Sequence, residues 1–295
     1  MAMDLDDLRA MLMAAKGERA PDIAAERAAY DKRESTQPLP AGWRGEAIDL
    51  GRPAMLLTGP GARSSRTILH FHGGGYRNGS FASHSGFVAT LAKAAEAEGI
   101  LLAYRRAPEN TFPAAFDDAL TAYRALLDQG RAAQSIVLMG DSAGGGLALA
   151  VAAALKGEGL PAPLAVVAIA PWTDLTQSGP SMIYRAEDDP ICSKEGLDAS
   201  AADYLGGADP RDPRASPLYA DLSGLPQTLI HVGGDEVLLS DSERFIEAAR
   251  AVDVDATVEI WPGLFHIWHR FYAELEESRE GVTEIGAWLK RRWKT

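Results

Sequence analysis

The sequence contains one cysteine, Cys192, among 295 residues. A single cysteine excludes a disulfide within the chain, and it also excludes a zinc cluster built from several thiolates. No apolar run approaches the roughly 20 residues that a membrane-spanning helix needs. Residues 1–7 are acidic where a secretory signal peptide is basic and then apolar. These absences favour a protein of the cytoplasm.

Basic residues are scarce as well. The 29 lysines and arginines are outnumbered by 41 acidic residues, which gives a formal net charge of −12. Because such a charge repels phosphate groups, it speaks against nucleic acid and against an anionic membrane as partners. The hydrophobic content of 46% is that of a globular protein with a sizeable core, in one large domain or two small ones.

Strand-like and helix-like segments alternate along most of the chain. The strand-like runs are short and nearly all apolar, which is typical of a parallel sheet with helices on both faces. The pattern therefore predicts an α/β fold. The predicted strands are 46–50, 54–57, 67–71, 100–104, 135–139, 163–170, 227–232 and 256–261.

A G-x-S-x-G motif occupies residues 140–144, directly after a predicted strand and before a helix that is apolar nearly all round. This context is typical of a nucleophile elbow, which holds a serine, here Ser142, at a sharp strand-to-helix turn. The turn brings the residues two before and two after the serine close together, and Gly140 and Gly144 permit that approach. Asp141, inside the motif, receives no role.

Three glycines follow the predicted strand 67–71, in the run His72-Gly-Gly-Gly75. Such a run lets backbone N–H groups point at a ligand, as an oxyanion hole requires. The alternatives are a flexible loop and a phosphate loop, but a phosphate loop needs a lysine that is missing here. We expect the donors to be the N–H groups of Gly74 and Gly75, together with that of Ala143 after the serine.

A serine nucleophile needs a histidine base and an orienting acid, in the chain order serine, acid, histidine. Of the six histidines, His266 lies in the loop after the predicted strand 256–261, where it can reach the carboxyl edge of the sheet. His269 lies three residues on, and no further residue is placed to complete a metal site with the two. His266 is therefore the predicted base, and no metal or cofactor is predicted.

The acid is less sharply defined by the sequence. Asp235 follows the predicted strand 227–232 and is our prediction for the acid. Glu236 is the nearest rival because it is the next residue at the same strand end. Asp174 also follows a strand, but one element too early for the usual order.

Taken together, these motifs resemble those of the bacterial hormone-sensitive-lipase-like (family IV) carboxylesterases of the α/β-hydrolase fold. The shared motifs span residues 72–76, 104–109, 112–114, 140–145, 170–174, 216–218 and 234–235. The resemblance implies a mostly parallel eight-stranded sheet flanked by helices, a helical cap, and a triad of Ser142, Asp235 and His266. One departure is Asp235-Glu-Val237, where many members have Asp-Pro-Leu, so the acid loop is expected to sit somewhat differently.

The resemblance also implies a division of the chain and a substrate class. The N-terminal cap helices are assigned to 1–42, the cap insertion to 176–215, and the hydrolase core to 43–175 and 216–295. The expected partner is a small-molecule ester with a short to medium acyl chain, and Tyr184 and Phe265 are candidates for lining its pocket. A lactone, carbamate or amide substrate is the alternative, and a non-catalytic binding relative is a further one. Members often form homodimers through the last strand of the sheet, here 256–261.

Overall fold

A single sheet forms the centre of the molecule. The computed structural model describes residues 4–16, 22–34 and 37–293. The strands in this described part are β1 Arg44–Asp49, β2 Pro53–Thr58, β3 Arg63–Phe71, β4 Ala97–Leu102, β5 Ile136–Asp141, β6 Ala165–Ile169, β7 Gln227–Gly233 and β8 Ala256–Trp261. They form one eight-stranded sheet in the order β1-β2-β4-β3-β5-β6-β7-β8. The pairs β1–β2 and β2–β4 are antiparallel and the others are parallel, which confirms the predicted mostly parallel sheet.

Helices cover both faces of this sheet. Their bounds are α1 Leu5–Ala15, α2 Ile23–Glu34, α3 Phe81–Ala95, α4 Ala114–Asp128, α5 Ala143–Ala154, α6 Ser181–Tyr184, α7 Lys194–Leu205, α8 Leu239–Arg250 and α9 Glu276–Arg292. One apolar core contains residues of α4, α5 and α8, and a second on the other face contains residues of α3 and α9. Within the described ranges, none of the helices combines the length and the apolar character that crossing a membrane requires.

The helix after the serine motif, α5, is enclosed by other parts of the protein. Its residues 143–152 are buried, as its apolar sequence predicts. Because α5 is packed against other residues on all sides, the position of the turn at its first residue is fixed too.

Four of the described helices lie outside the regular alternation of strands and helices. Helices α1 and α2 precede the sheet, and α6 and α7 lie between β6 and β7. Helix α1 buries Leu8, whereas α2 buries none of its described side chains and is joined to the core by ion pairs such as Arg27–Glu109. The division into cap and core stays a prediction, and residues 1–3, 17–21, 35–36 and 294–295 of the assigned ranges lie outside the described residues.

Strand β8 lies at one end of the strand order, so the predicted edge strand 256–261 is an edge strand. Its outer side pairs with no other described strand. The homodimer through this edge stays a prediction.

Helices α3 and α9 approach each other closely at Gly286. A Cβ added at this position would lie 2.5 Å from the carbonyl oxygen of Ala94. In an open helix, glycine-to-alanine replacement stabilises by roughly 1 kcal/mol. At Gly286 we expect the opposite sign, because overpacking costs about 1–3 kcal/mol.

The measurement is the free energy of unfolding of Gly286→Ala in denaturant. Gly196→Ala is the matched control, since Gly196 is an exposed residue of α7 whose added Cβ would meet only the Ser193 hydroxyl at 3.3 Å. If Gly286→Ala proves as stable as the control variant, the close approach of α3 and α9 is wrong.

Candidate active site

Ser142 lies in the turn between β5 and α5. Its backbone has φ 54° and ψ −121°, a conformation that a residue other than glycine adopts only when its surroundings enforce it. The Ser142 N–H donates to the carbonyl of Ile169 at 2.8 Å, and its own carbonyl accepts from Trp172 at 3.0 Å. A Cβ on Gly140 would collide with the carbonyl of Gly144. The strand, turn and helix expected of a nucleophile elbow are therefore present.

His266 reaches this serine from the loop after β8. Its Nε2 lies 2.9 Å from Ser142 Oγ, and its Nδ1 lies 2.9 Å from an oxygen of Glu236. The side chain of His266 is only 2% exposed, and that of Glu236 is fully buried. Ser142, His266 and Glu236 thus form one hydrogen-bonded line that is shielded from water.

The prediction that Asp235 orients the histidine is wrong. Asp235 points away from His266 and pairs with Arg9 at 3.0 Å and with Arg185 at 3.3 Å. Both carboxylates follow β7, and the turn there aims Glu236 inward, where it also accepts from the N–H of Gly233 at 2.8 Å. Because neighbouring side chains point to different sides of the chain, one acid faces the histidine and the other faces the surface.

The environment sets which groups carry protons. Burial raises the pKa of Glu236, and the adjacent His266 opposes that rise. Glu236 accepts from the Gly233 N–H at one oxygen, and an ionised carboxylate has no proton to donate from the other, so we assign the proton between Glu236 and His266 to Nδ1 of the imidazole. Nε2 then carries a lone pair, which accepts a hydrogen bond from the Ser142 hydroxyl.

The pKa of His266 is held well above its ordinary value. Burial by itself would lower this pKa, but the interactions with Cys192 and Glu236 raise it by more than burial lowers it. Cys192 lies against the His266 ring, although nothing in the sequence signals that contact. Burial raises the pKa of this thiol as well, and Glu236, 2.9 Å from His266 Nδ1, is the second group that raises the pKa of the histidine.

The glycine run after β3 lies against the elbow. A Cβ on Gly73 would collide with the carboxylate of Asp141, and Gly74 and Gly75 have φ values of 105° and 61° that favour glycine. Ala143 is the first residue of α5, where an N–H has no acceptor within the helix. The three predicted oxyanion donors therefore belong to two segments that meet at the serine.

Asp141, which received no role from the sequence, belongs to a buried polar cluster. Its two oxygens lie 3.6 Å from His70 Nε2 and 3.5 Å from His84 Nε2. Arg270 donates to His84 at 3.0 Å and pairs with Glu34 of α2 at 3.1 Å. Burial lowers the pKa of His70 to about 3, and burial and Arg270 lower that of His84 well below its ordinary value, so the positive charge in this cluster is that of Arg270.

His231 and His269 form a separate pair away from the elbow. His231 Nδ1 lies 3.2 Å from His269 Nε2, and both rings are buried. Among the described residues, His231, Glu259 and Glu284 bring three possible metal ligands within 4.8 Å of one another. Because His231 Nε2 already lies 3.1 Å from a Glu259 oxygen, the imidazole has a carboxylate partner without an ion.

The two predicted pocket residues have different surroundings. Phe265 is fully buried in an apolar cluster with Leu8, Trp268 and others, so it is a core residue with no surface to offer an open pocket. Tyr184 is 52% exposed at the end of α6, beside Arg185. A contact of Tyr184 with substrate stays a prediction.

Comparison with known proteins agrees with this geometry. A family described as having the alpha/beta hydrolase fold matches residues 68–270. The chain belongs to this family. An acetyl-hydrolase of Streptomyces hygroscopicus is 40% identical to our hydrolase over 272 residues, which cover 92% of this chain and 91% of the relative.

Solved structures of esterases are similar to the hydrolase over nearly its whole length. An esterase of the bacterial hormone-sensitive lipase family has a TM-score of 0.95 and 39% identity, covering 99% of each chain. EstE5, whose crystal was soaked with p-nitrophenyl butyrate, has a TM-score of 0.94, 39% identity and the same coverage. The hydrolase is a carboxylic ester hydrolase of the hormone-sensitive-lipase-like type.

The contact between Glu236 and His266 leads to a prediction about pH. Replacing Glu236 by glutamine removes the charge that raises the pKa of His266, so the acid limb of kcat/KM should move to lower pH. We also expect kcat to fall by roughly 10³- to 10⁴-fold, because glutamine no longer holds the histidine in the required tautomer.

The measurement is the pH profile of ester hydrolysis for Glu236→Gln and for Asp235→Asn. Asp235→Asn should leave the acid limb near its wild-type position and lower kcat by less than about 10²-fold. If Asp235→Asn instead shows the larger loss of kcat and the larger shift of the acid limb, Asp235 is the orienting acid and Glu236 is not.

Proposed function

We propose that the hydrolase is a serine carboxylesterase in which Ser142 is acylated, His266 moves the proton and Glu236 orients the histidine. The observation that carries this proposal is the continuous line of two 2.9 Å hydrogen bonds through His266. A serine hydroxyl is a weak nucleophile until a base removes its proton. His266 is within reach of that proton and has its other nitrogen fixed by a carboxylate.

In the first half-reaction, Ser142 Oγ attacks the acyl carbon while its proton passes to His266 Nε2. The imidazolium that forms is stabilised by the buried carboxylate of Glu236. The carbonyl oxygen becomes an oxyanion, which the N–H groups of Gly74, Gly75 and Ala143 are proposed to bind. Collapse of this intermediate breaks the ester bond, and the alcohol leaves with the proton from His266.

In the second half-reaction, water attacks the acyl group on Ser142 and gives its proton to the same nitrogen. The acid leaves and the serine recovers its proton. Each of the three proposed oxyanion donors is worth roughly 3–4 kcal/mol of transition-state stabilisation in comparable enzymes. The sequence of steps needs no metal or cofactor.

The proposed substrates are esters with short to medium acyl chains. The acetyl-hydrolase relative and the p-nitrophenyl butyrate used with EstE5 both point to small acyl groups. The same catalytic groups would also cleave a lactone, carbamate or amide, so the choice among these bonds rests on assays. A cytoplasmic location stays a prediction from composition.

The nucleophile is tested with Ser142→Ala on p-nitrophenyl acetate, butyrate and octanoate. We expect kcat to fall by roughly 10⁴-fold or more, because alanine leaves no group to acylate. Ser135→Ala is the matched control, since Ser135 is half-buried in the short 3₁₀ helix before β5 and its hydroxyl donates to the carbonyl of Ala132.

Two outcomes would contradict the proposal. If the folded wild-type protein cleaves none of these esters, the proposed esterase function is wrong. A panel of lactones, carbamates and amides would then test the alternative substrates. Unchanged turnover by Ser142→Ala would show that Ser142 is not the nucleophile.

A further inference from the structure

Asp235, which does not touch His266, lies where the acid loop meets the first helix. Its neighbour Glu236 is the residue that bonds His266. The side chain of Asp235 is 24% exposed, and each of its oxygens faces a guanidinium. One guanidinium comes from Arg9 of α1 and the other from Arg185 of the segment after α6.

Arg9 joins three different segments with one side chain. Its Nη2 donates to Asp235 Oδ2 at 3.0 Å and to the carbonyl of Gly263 at 2.6 Å. Its Nη1 donates to the carbonyl of Asp188 at 2.6 Å. Gly263 begins the loop that carries His266, so Arg9 bonds both the acid loop and the histidine loop.

We propose that Arg9 is a positioning residue for the triad, which fixes the distance between the acid loop and the histidine loop through Asp235 and Gly263. This rests on the proposed function, because it assigns Arg9 a role in the same site. Arg9 touches neither Ser142 nor His266, so it acts through the loops and not on the substrate.

The helix that carries Arg9 is well anchored for this task. Leu8, the preceding residue, is buried in the apolar cluster that contains Leu264, Phe265 and Trp268. The histidine loop is thus packed by Leu8 and hydrogen-bonded by Arg9. A guanidinium is a planar fork of donors, so several bonds from it constrain position and orientation together.

The segment after α6 ties the same loops from another side. Asp189 is fully buried, and its carboxylate accepts from the N–H groups of Ile191 and Cys192 and from Val237 at 3.0 Å. Val237 directly follows Glu236. Arg9 therefore bonds the carbonyl of Asp188 beside a residue that itself holds the acid loop.

Such constraint matters because catalysis depends on two hydrogen bonds of His266 at once, each 2.9 Å long. A displacement of about 1 Å within a catalytic group can cost 10²-fold in rate. Loosening either loop would change the Glu236–His266 distance without removing any reacting side chain. The expected signature is a fall in kcat with little change in KM.

The experiment compares Arg9→Met with Arg131→Met, because methionine keeps an apolar stem of similar length. Arg131 is a matched control, since it is similarly buried and bonds Glu98 at 3.0 Å, Thr67 and the carbonyl of Ser64. These partners lie on β3 and β4, at the end of the sheet opposite to the catalytic loops. Amide hydrogen exchange and steady-state kinetics are measured for both variants.

In Arg9→Met we expect faster exchange in peptides covering 234–237 and 262–268, and a kcat lowered by roughly 10- to 100-fold. KM should stay within about twofold of wild type. Arg131→Met should lower the melting temperature but leave kcat and both peptides unchanged. Asp235→Asn combined with Arg9→Met should lower kcat by less than the product of the single effects, because both remove the same bond.

A purely structural role for Arg9 would overturn the proposal. It would appear as a lowered melting temperature with unchanged kcat, or as unchanged exchange in both loop peptides. Arg9→Lys adds a second check, since its single charged group should recover part of the lost kcat but not all of it. The exchange result does not depend on ester turnover, so a failure of the esterase function is seen separately in the wild-type kinetics.

Discussion

The hydrogen bond between Ser142 Oγ and His266 Nε2 is the constraint on which the active site depends. It joins residues 124 positions apart in the chain, one at the end of β5 and one in the loop after β8. A parallel sheet brings such strand ends to the same edge, and that is why a serine and a histidine so distant in sequence meet. The sheet determines which edge the two residues lie at, and the loops determine whether Ser142 Oγ and His266 Nε2 are close enough for proton transfer.

Much of this arrangement can be read from the sequence because it follows from backbone rules. Gly140 and Gly144 are demanded by a turn that leaves no room for a Cβ, and the apolar helix after them has to be buried. His266 is identified because it follows a strand at the required place in the order. These features depend on local patterns along the chain.

Other features depend on tertiary geometry that the sequence does not display. Asp235 and Glu236 are adjacent carboxylates at one strand end, and only the turn after β7 decides which of them faces the histidine. Asp141 lies in a buried cluster with His70 and His84, which come from two other segments of the chain. Phe265 fills the core beneath α1 and does not line a pocket, because the first helix covers it.

In the proposed reaction, Ser142 carries the acyl group after His266 has taken the proton from its hydroxyl. The thiol of Cys192 lies beside the same histidine, so acylation of Ser142 and of Cys192 must be distinguished by direct observation. The decisive measurement is acid quench of the wild-type enzyme during turnover of p-nitrophenyl butyrate, followed by mass spectrometry of its peptides. We expect a butyryl group on the peptide that contains Ser142, and a butyryl group on the peptide that contains Cys192 would contradict the assignment of Ser142 as the nucleophile.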